Sequence, residues 1–167
     1  MTEPPRFLQS IYSKYPDDQS PKEVFIQAAG HSYSGVGDRH VVIWWKNGEV
    51  ADDDGVSKTV TQVIQLTGQA GNYAFYHPVS LLCSRVTVDT TENLQISMGT
   101  FTREQRDQMA AFAKDIVYDR KSVVNGCRVW TRDLFEAMVK AGLMSQDLFE
   151  KIDVAIPLVL RRPELKA

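Results

Sequence analysis

His40-Val41-Val42-Ile43-Trp44-Trp45-Lys46-Asn47-Gly48-Glu49 is the stretch on which the fold turns. After the histidine come five consecutive β-branched or aromatic residues. Such side chains suit a pleated, half-buried surface, so His40–Trp45 reads as a strand. Asn-Gly is the strongest short hairpin signal. Asn47-Gly48 is therefore expected to reverse the chain, with Glu49–Asp52 returning as the paired strand and Asp52-Asp53-Asp54-Gly55 forming an acidic turn. Side chains alternate across a strand, which sends Trp44 and Trp45 to opposite faces. One belongs to the core; the other packs under a helix or lines a pocket.

Upstream, residues 1–22 are polar and carry Pro4, Pro5, Pro16, Asp17, Asp18 and Pro21. They read as an N-terminal arm, in which Phe7, Leu8, Ile11 and Tyr12 can form one short amphipathic turn. Glu23–Ala29 reads as a strand. Residues 31–38, with Gly35 and Gly37 following Gly30, read as a loop. Downstream, Val56–Thr67 fits the strand and helix periods equally poorly. Gly68–Asn72 is a turn. Asn72–Val79, Leu81–Asp89 and Leu94–Met98 are β candidates, and Val86, Val88, Leu94, Ile96 and Met98 alternate.

Beyond residue 101 the pattern becomes helical. Thr102-x-x-Gln105 is a capping box. Met109, Phe112, Ala113, Ile116 and Val117 follow at helical spacing, giving a helix over Thr102–Tyr118. A second helix runs roughly from Cys127 to Ala141 and ends at Gly142. Ser145 caps a third, to Ile152. Val154–Leu160, interrupted by Pro157, is extended or irregular. Strands first and helices last define an α+β domain over residues 23–167, with a mainly antiparallel sheet packed on C-terminal helices.

The chain has 167 residues, with 19 basic and 21 acidic side chains and a net charge of −2. That balance gives no electrostatic footprint for nucleic acid or an anionic membrane. Cys83 and Cys127 form no C-x-x-C pair, so structural zinc is not expected. No cofactor motif is present: Gly35-Val36-Gly37 lacks the strand–glycine–helix context of a dinucleotide loop. The first residues carry no apolar signal region, and no run reaches membrane-spanning length. The expected setting is cytoplasmic, with both thiols free.

The chemistry-bearing candidates are few. Cys127, in Asn125-Gly126-Cys127-Arg128-Val129-Trp130, stands at a helix N-terminus, where unpaired N–H groups and the helix dipole favour a thiolate. His40 opens a strand. The alternative for Cys127 is a core position, because a free cysteine packs like a small hydrophobe. Cys83, within Leu81-Leu82-Cys83, reads as core. Arg128 and Arg132 are one helical turn apart; they form a solvated face or hold an anionic group beside Cys127.

These two patches resemble the circularly permuted papain-like proteins: the lecithin:retinol acyltransferase-like and NlpC/P60-like groups and, more distantly, the PPPDE peptidases. His40 opens a strand ahead of the cysteine, which is the permuted order; Asn125-Gly126-Cys127 and Trp130 look similar to their cysteine motif, with Tyr118 upstream. Gly126 departs from their Asn-Cys, and Asp52 stands where the acyltransferase-like group usually has a second histidine. The same patches resemble a group of small fungal proteins, a likeness that implies no activity. The papain-like resemblance implies Cys127 as nucleophile, His40 as general base, Asp52 as the group orienting the imidazole, and backbone N–H groups at residues 127 and 128 as an oxyanion hole. The reaction is then acyl transfer from an amide, ester or thioester of a small-molecule or peptide substrate, with Trp44, Trp45, Arg128 and Trp130 near the substrate and no cofactor.

Two other classes stand beside it: a non-catalytic binding domain, and a small cyclase or isomerase that uses an apolar pocket and acid–base groups without a thiol nucleophile. An accessible Cys127 within hydrogen-bond reach of His40 marks the first class. A Cys127 buried in the core, with His40 elsewhere, marks the second.

Overall fold

The computed structural model describes residues 8–30, 39–51, 53–84 and 93–165. The expectations for Phe7, the 31–38 loop, Asp52, Val86 and Val88 fall outside these residues. Seven strands precede three helices: β1 Lys22–Ala28, β2 Val41–Ala51, β3 Ser57–Ile64, β4 Thr67–Gln69, β5 Asn72–Ala74, β6 Val79–Ser84, β7 Leu94–Phe101, then α1 Arg103–Asp115, α2 Cys127–Lys140 and α3 Gln146–Ala155. Five strands make one sheet in the order β6-β3-β2-β1-β7, and every neighbour pair is antiparallel. β4 and β5 form a separate short hairpin. The chain is therefore α+β.

The hairpin read at Asn47-Gly48 is not there. β2 continues through it to Ala51, and Asn47 is the extra residue where the register with β3 shifts between Lys46 and Gly48. A bulge admits one unpaired residue without ending the strand. The Asn47 amide nitrogen lies 2.8 Å from Gln62 Oε1 and 3.2 Å from the Tyr15 carbonyl, and its oxygen accepts from Lys22 Nζ at 3.4 Å. These tertiary partners outweigh the local turn preference. The reversal comes later, in the acidic turn, where Gly55 takes a φ of 75°.

Within Val56–Thr67, Ser57–Ile64 forms β3, which pairs with β2 on one side and β6 on the other, and Thr67 begins β4. Thr59 through Ile64 are all buried. A strand covered on both faces loses the alternation that betrays a half-exposed one, which is why its period was ambiguous.

The helix signals are local and hold. Thr102 and Gln105 make both halves of the capping box, at 3.2 and 2.8 Å. α2 ends in a Schellman motif: Leu143 N–H donates to the Met138 carbonyl at 2.9 Å and Gly142 N–H to Val139 at 3.0 Å. Gly142 adopts the required φ of 76°. α1 stops at Asp115, short of Tyr118, because Ile116 is extended and the Tyr118 hydroxyl accepts from the Phe75 N–H at 3.1 Å.

The helices cover one face of the sheet. Val24, Ile26, Val41, Ile43 and Trp45 meet Met109, Trp130, Leu134, Phe135, Met138 and Ile152 in one buried cluster. A fixed ion pair ties the N-terminal segment to this layer. Asp17 bonds Arg106 through both oxygens, at 2.8 and 2.9 Å, with both side chains almost fully buried. Lys22 adds a third contact at 2.9 Å, and Arg106 also donates to the Phe101 carbonyl.

Burial alone would raise the Asp17 carboxyl, but hydrogen bonds and charges from Arg106 and Lys22 together outweigh it and hold its pKa below the ordinary value. A depressed carboxylate contributes stability above its unfolded pKa of about 3.9 and loses it as pH falls through the lower folded value. Asp17→Ala is expected to cost about 3–5 kcal/mol at neutral pH, because it leaves Arg106 buried and uncompensated. Denaturant titration at neutral and strongly acidic pH checks this: the gap between wild type and variant narrows in acid.

Candidate functional site

The pleat of β2 sets the site. The Ala29 N–H donates to the His40 carbonyl at 3.0 Å, extending the β1–β2 ladder back past Val41. Arg39, Val41, Ile43 and Trp45 face the helices; the Arg39 guanidinium donates to the Ile156 carbonyl on that side. His40, Val42 and Trp44 face the other way.

Cys127 belongs to the helix side. It is 5% exposed and packs in the main core. Its Sγ is 3.0 Å from the Leu66 carbonyl oxygen. A sulfur facing a carbonyl acceptor needs an S–H to donate, so this contact is made by the thiol and not the thiolate. The structure thus does not bring Cys127 and His40 together: their side chains lie on opposite faces of the sheet. The adjoining Asn125 is a joint. Its amide nitrogen donates to the Arg162 carbonyl at 2.7 Å and Glu164 Oε1 at 2.8 Å, and its oxygen accepts from the Arg162 N–H at 2.9 Å.

Three of the four residues expected near a substrate are also core. Trp45 and Trp130 are each 1% exposed, and Arg128 is 3% exposed and donates to the Pro157 carbonyl at 3.2 Å. Trp45 lies on the helix-facing side of β2, and the first turn of α2 is buried all round, from Cys127 through Thr131. Arg128 and Arg132 form no paired anion grip, since Arg132 bonds Asp153 at 3.0 Å.

Trp44 is different. On the face away from the helices, a groove of about 160 Å³ is lined by Gln27, His40, Val42, Trp44, Thr61, Val63, Gln65, Leu81 and Cys83. Trp44 stacks on Phe25, with ring centroids 4.7 Å apart. Leu8 packs against this second, smaller cluster, while the Ser10 hydroxyl and the Ile11 N–H tie the N-terminal segment to Pro78 and Ser80.

His40 is exposed at the groove's rim, yet the water its ring loses against the groove lowers its pKa; the Gln65 side chain beside it pulls the other way. Among the described residues, three buried polar atoms of the lining have no hydrogen-bond partner: the Trp44 indole N–H, the Thr61 hydroxyl and Gln65 Oε1. No lining side chain among the described residues carries a formal charge once His40 is neutral.

Cys83 lines the same groove but is not poised beside His40. It pairs with Thr59, six residues along β3 from Gln65, which at 3.3 Å per residue is about 20 Å. Its assignment as core is corrected: it is half-buried, because its strand, β6, is an edge strand. Away from the groove, His77 stacks on Phe75, and burial, helped by the nearby Lys114 charge and opposed by Asp107, lowers its pKa to about 4.

Sequence reasoning missed Gln27, Thr61 and Gln65. Their signal is only that neutral polar residues recur on one face of β1 and β3, the two strands that flank β2, and in β3 double-sided burial hides it. Among the described residues, no group of histidine, cysteine and carboxylate side chains is arranged to hold a metal ion, and no helix is long and apolar enough to cross a membrane. No family model, curated protein or solved structure matches the chain.

Two measurements follow from these placements. In the native protein, iodoacetamide is expected to modify Cys83 and spare Cys127 until unfolding, as read by peptide mass mapping. In NMR titrations, the His40 imidazole is expected to titrate below about 6.5, and Gln65→Ala to lower it further, because the Gln65 amide beside it favours the charged ring.

Proposed function

We propose that this protein is a non-catalytic binding domain that takes a small molecule into the groove on the helix-free face of its sheet. The observation that carries the reading is the groove's lining. An apolar floor is combined with a few polar groups, three of which have no protein partner, as in ligand sites rather than bare surface. The strand-then-helix order is compatible with a permuted papain-like ancestry in which the cysteine serves as a core residue. Acyl transfer by Cys127 requires its thiolate to reach the His40 imidazole, and the sheet stands between them.

One observation favours a second reading. His40 stands at the groove's rim beside Gln65 with its pKa lowered, and a thiol-independent isomerase or cyclase needs a base of this kind. Binding is common to both readings, so it is tested first.

Nile red, a neutral apolar dye, is expected to bind the wild-type protein with enhanced, blue-shifted emission. Val42→Trp, which fills the groove from a half-buried strand position, is expected to weaken binding at least roughly tenfold, equivalent to about 1.4 kcal/mol. Cys127→Ser is expected to bind as wild type. A Val42→Trp protein that binds undiminished while folded places the dye elsewhere and refutes the groove.

A further inference from the structure

The geometry points to a neutral amphiphile as the groove's occupant: an apolar body with a carbonyl, amide or hydroxyl head held among Gln27, His40 and Gln65. This rests on the groove being the binding site. The argument comes from how the strands place its lining.

Register puts Gln27 and Gln65 in one row across Val42, with His40 one step beyond it. Gln27 pairs with Val42 across β1–β2. The Ile43–Ile64 pair of β2 and β3, continued by one step, sets Val42 beside Gln65. His40 is the next β2 residue on the same face. One end of the groove therefore carries two amides and an imidazole, which offer both donors and acceptors. The next row is apolar: Trp44 pairs with Phe25 on one side and Val63 on the other, and Val63 pairs with Val79. A further step along, Thr61 pairs with Leu81. Two residues of rise are about 7 Å, so head row and apolar row are successive along the strands.

The chemistry of that head row selects against ions. A carboxylate or ammonium moved there loses water and gains no opposite charge, which is costly in a groove of low polarity. A neutral carbonyl or hydroxyl loses less and finds a donor and an acceptor waiting. The lowered pKa of His40 adds to this, because it keeps the ring uncharged at neutral pH. Trp44 and Leu81 provide flat and aliphatic surface for the body.

The test uses one chain length and four heads. Octanamide, octanol, octanoate and octylammonium each compete with Nile red on the full-length protein at neutral pH. Octanamide and octanol are expected to displace the dye at concentrations at least roughly tenfold lower than either ion. Gln27→Leu, at a half-buried position, is expected to shrink that preference several-fold. Equal displacement by all four, or preference for an ion, overturns the neutral-head assignment and leaves the groove intact. An unchanged preference in folded Gln27→Leu and Gln65→Leu proteins also overturns it, by removing the head row from recognition. Failure of Nile red to bind the wild type overturns the groove itself, and this inference with it.

Discussion

The pleat of β2 is the constraint on which the rest depends. Its period of two sends Arg39, Val41, Ile43 and Trp45 toward the helices and His40, Val42 and Trp44 away from them. A slip of one residue would reverse every one of these assignments. The register is held because β2 is central, with β1 and β3 paired along its sides and the helical layer over one face. The two faces then acquire different roles. One becomes a packed interior containing Cys127; the other keeps a concave, neutral, partly apolar surface.

Buried polar side chains join elements that no sheet or helix ladder connects. Asp17 and Arg106 fix the N-terminal segment to the start of α1. Arg39 spans from the end of β1 at Ala29 to Ile156 beyond α3. Asn125 clasps the C-terminal segment at Arg162. Asn47 reaches Tyr15 and Gln62 from its bulge. A group of this kind is costly to bury unless its partners are in place, so each specifies one arrangement of its neighbours. The Asn-Gly-Cys patch that looks like a catalytic motif is accounted for in these terms. Asn125 is a clasp, Gly126 begins a helix without a side-chain cap, and Cys127 donates into the core.

This division also explains why function moves away from the thiol. A nucleophile needs a substrate within reach and a base beside it. Cys127 has a carbonyl oxygen beside it and is enclosed by the main core. His40 has what Cys127 lacks, an open groove, but its neighbours there are amides and apolar side chains. Neutral polar groups on an apolar floor are suited to recognition, and recognition is the property the geometry supports.

The sequence by itself determined what depends on neighbours along the chain. The capping box at Thr102, the Ser145 cap and the glycine after α2 are short-range hydrogen-bonding and backbone effects, and each marked a helix end. The succession of strands and helices announced the α+β class, and the alternation of Trp44 and Trp45 required that they part. The tertiary structure alone decided what depends on distant partners. It turned Asn47-Gly48 from a hairpin into a bulge, because Gln62 and Tyr15 are close only in the fold. It made Ser57–Ile64 a strand, because neighbours on both sides complete its hydrogen bonds. It put Cys127 and His40 on opposite faces, since facing is settled by which side of the sheet the helices cover, and no short motif contains that choice.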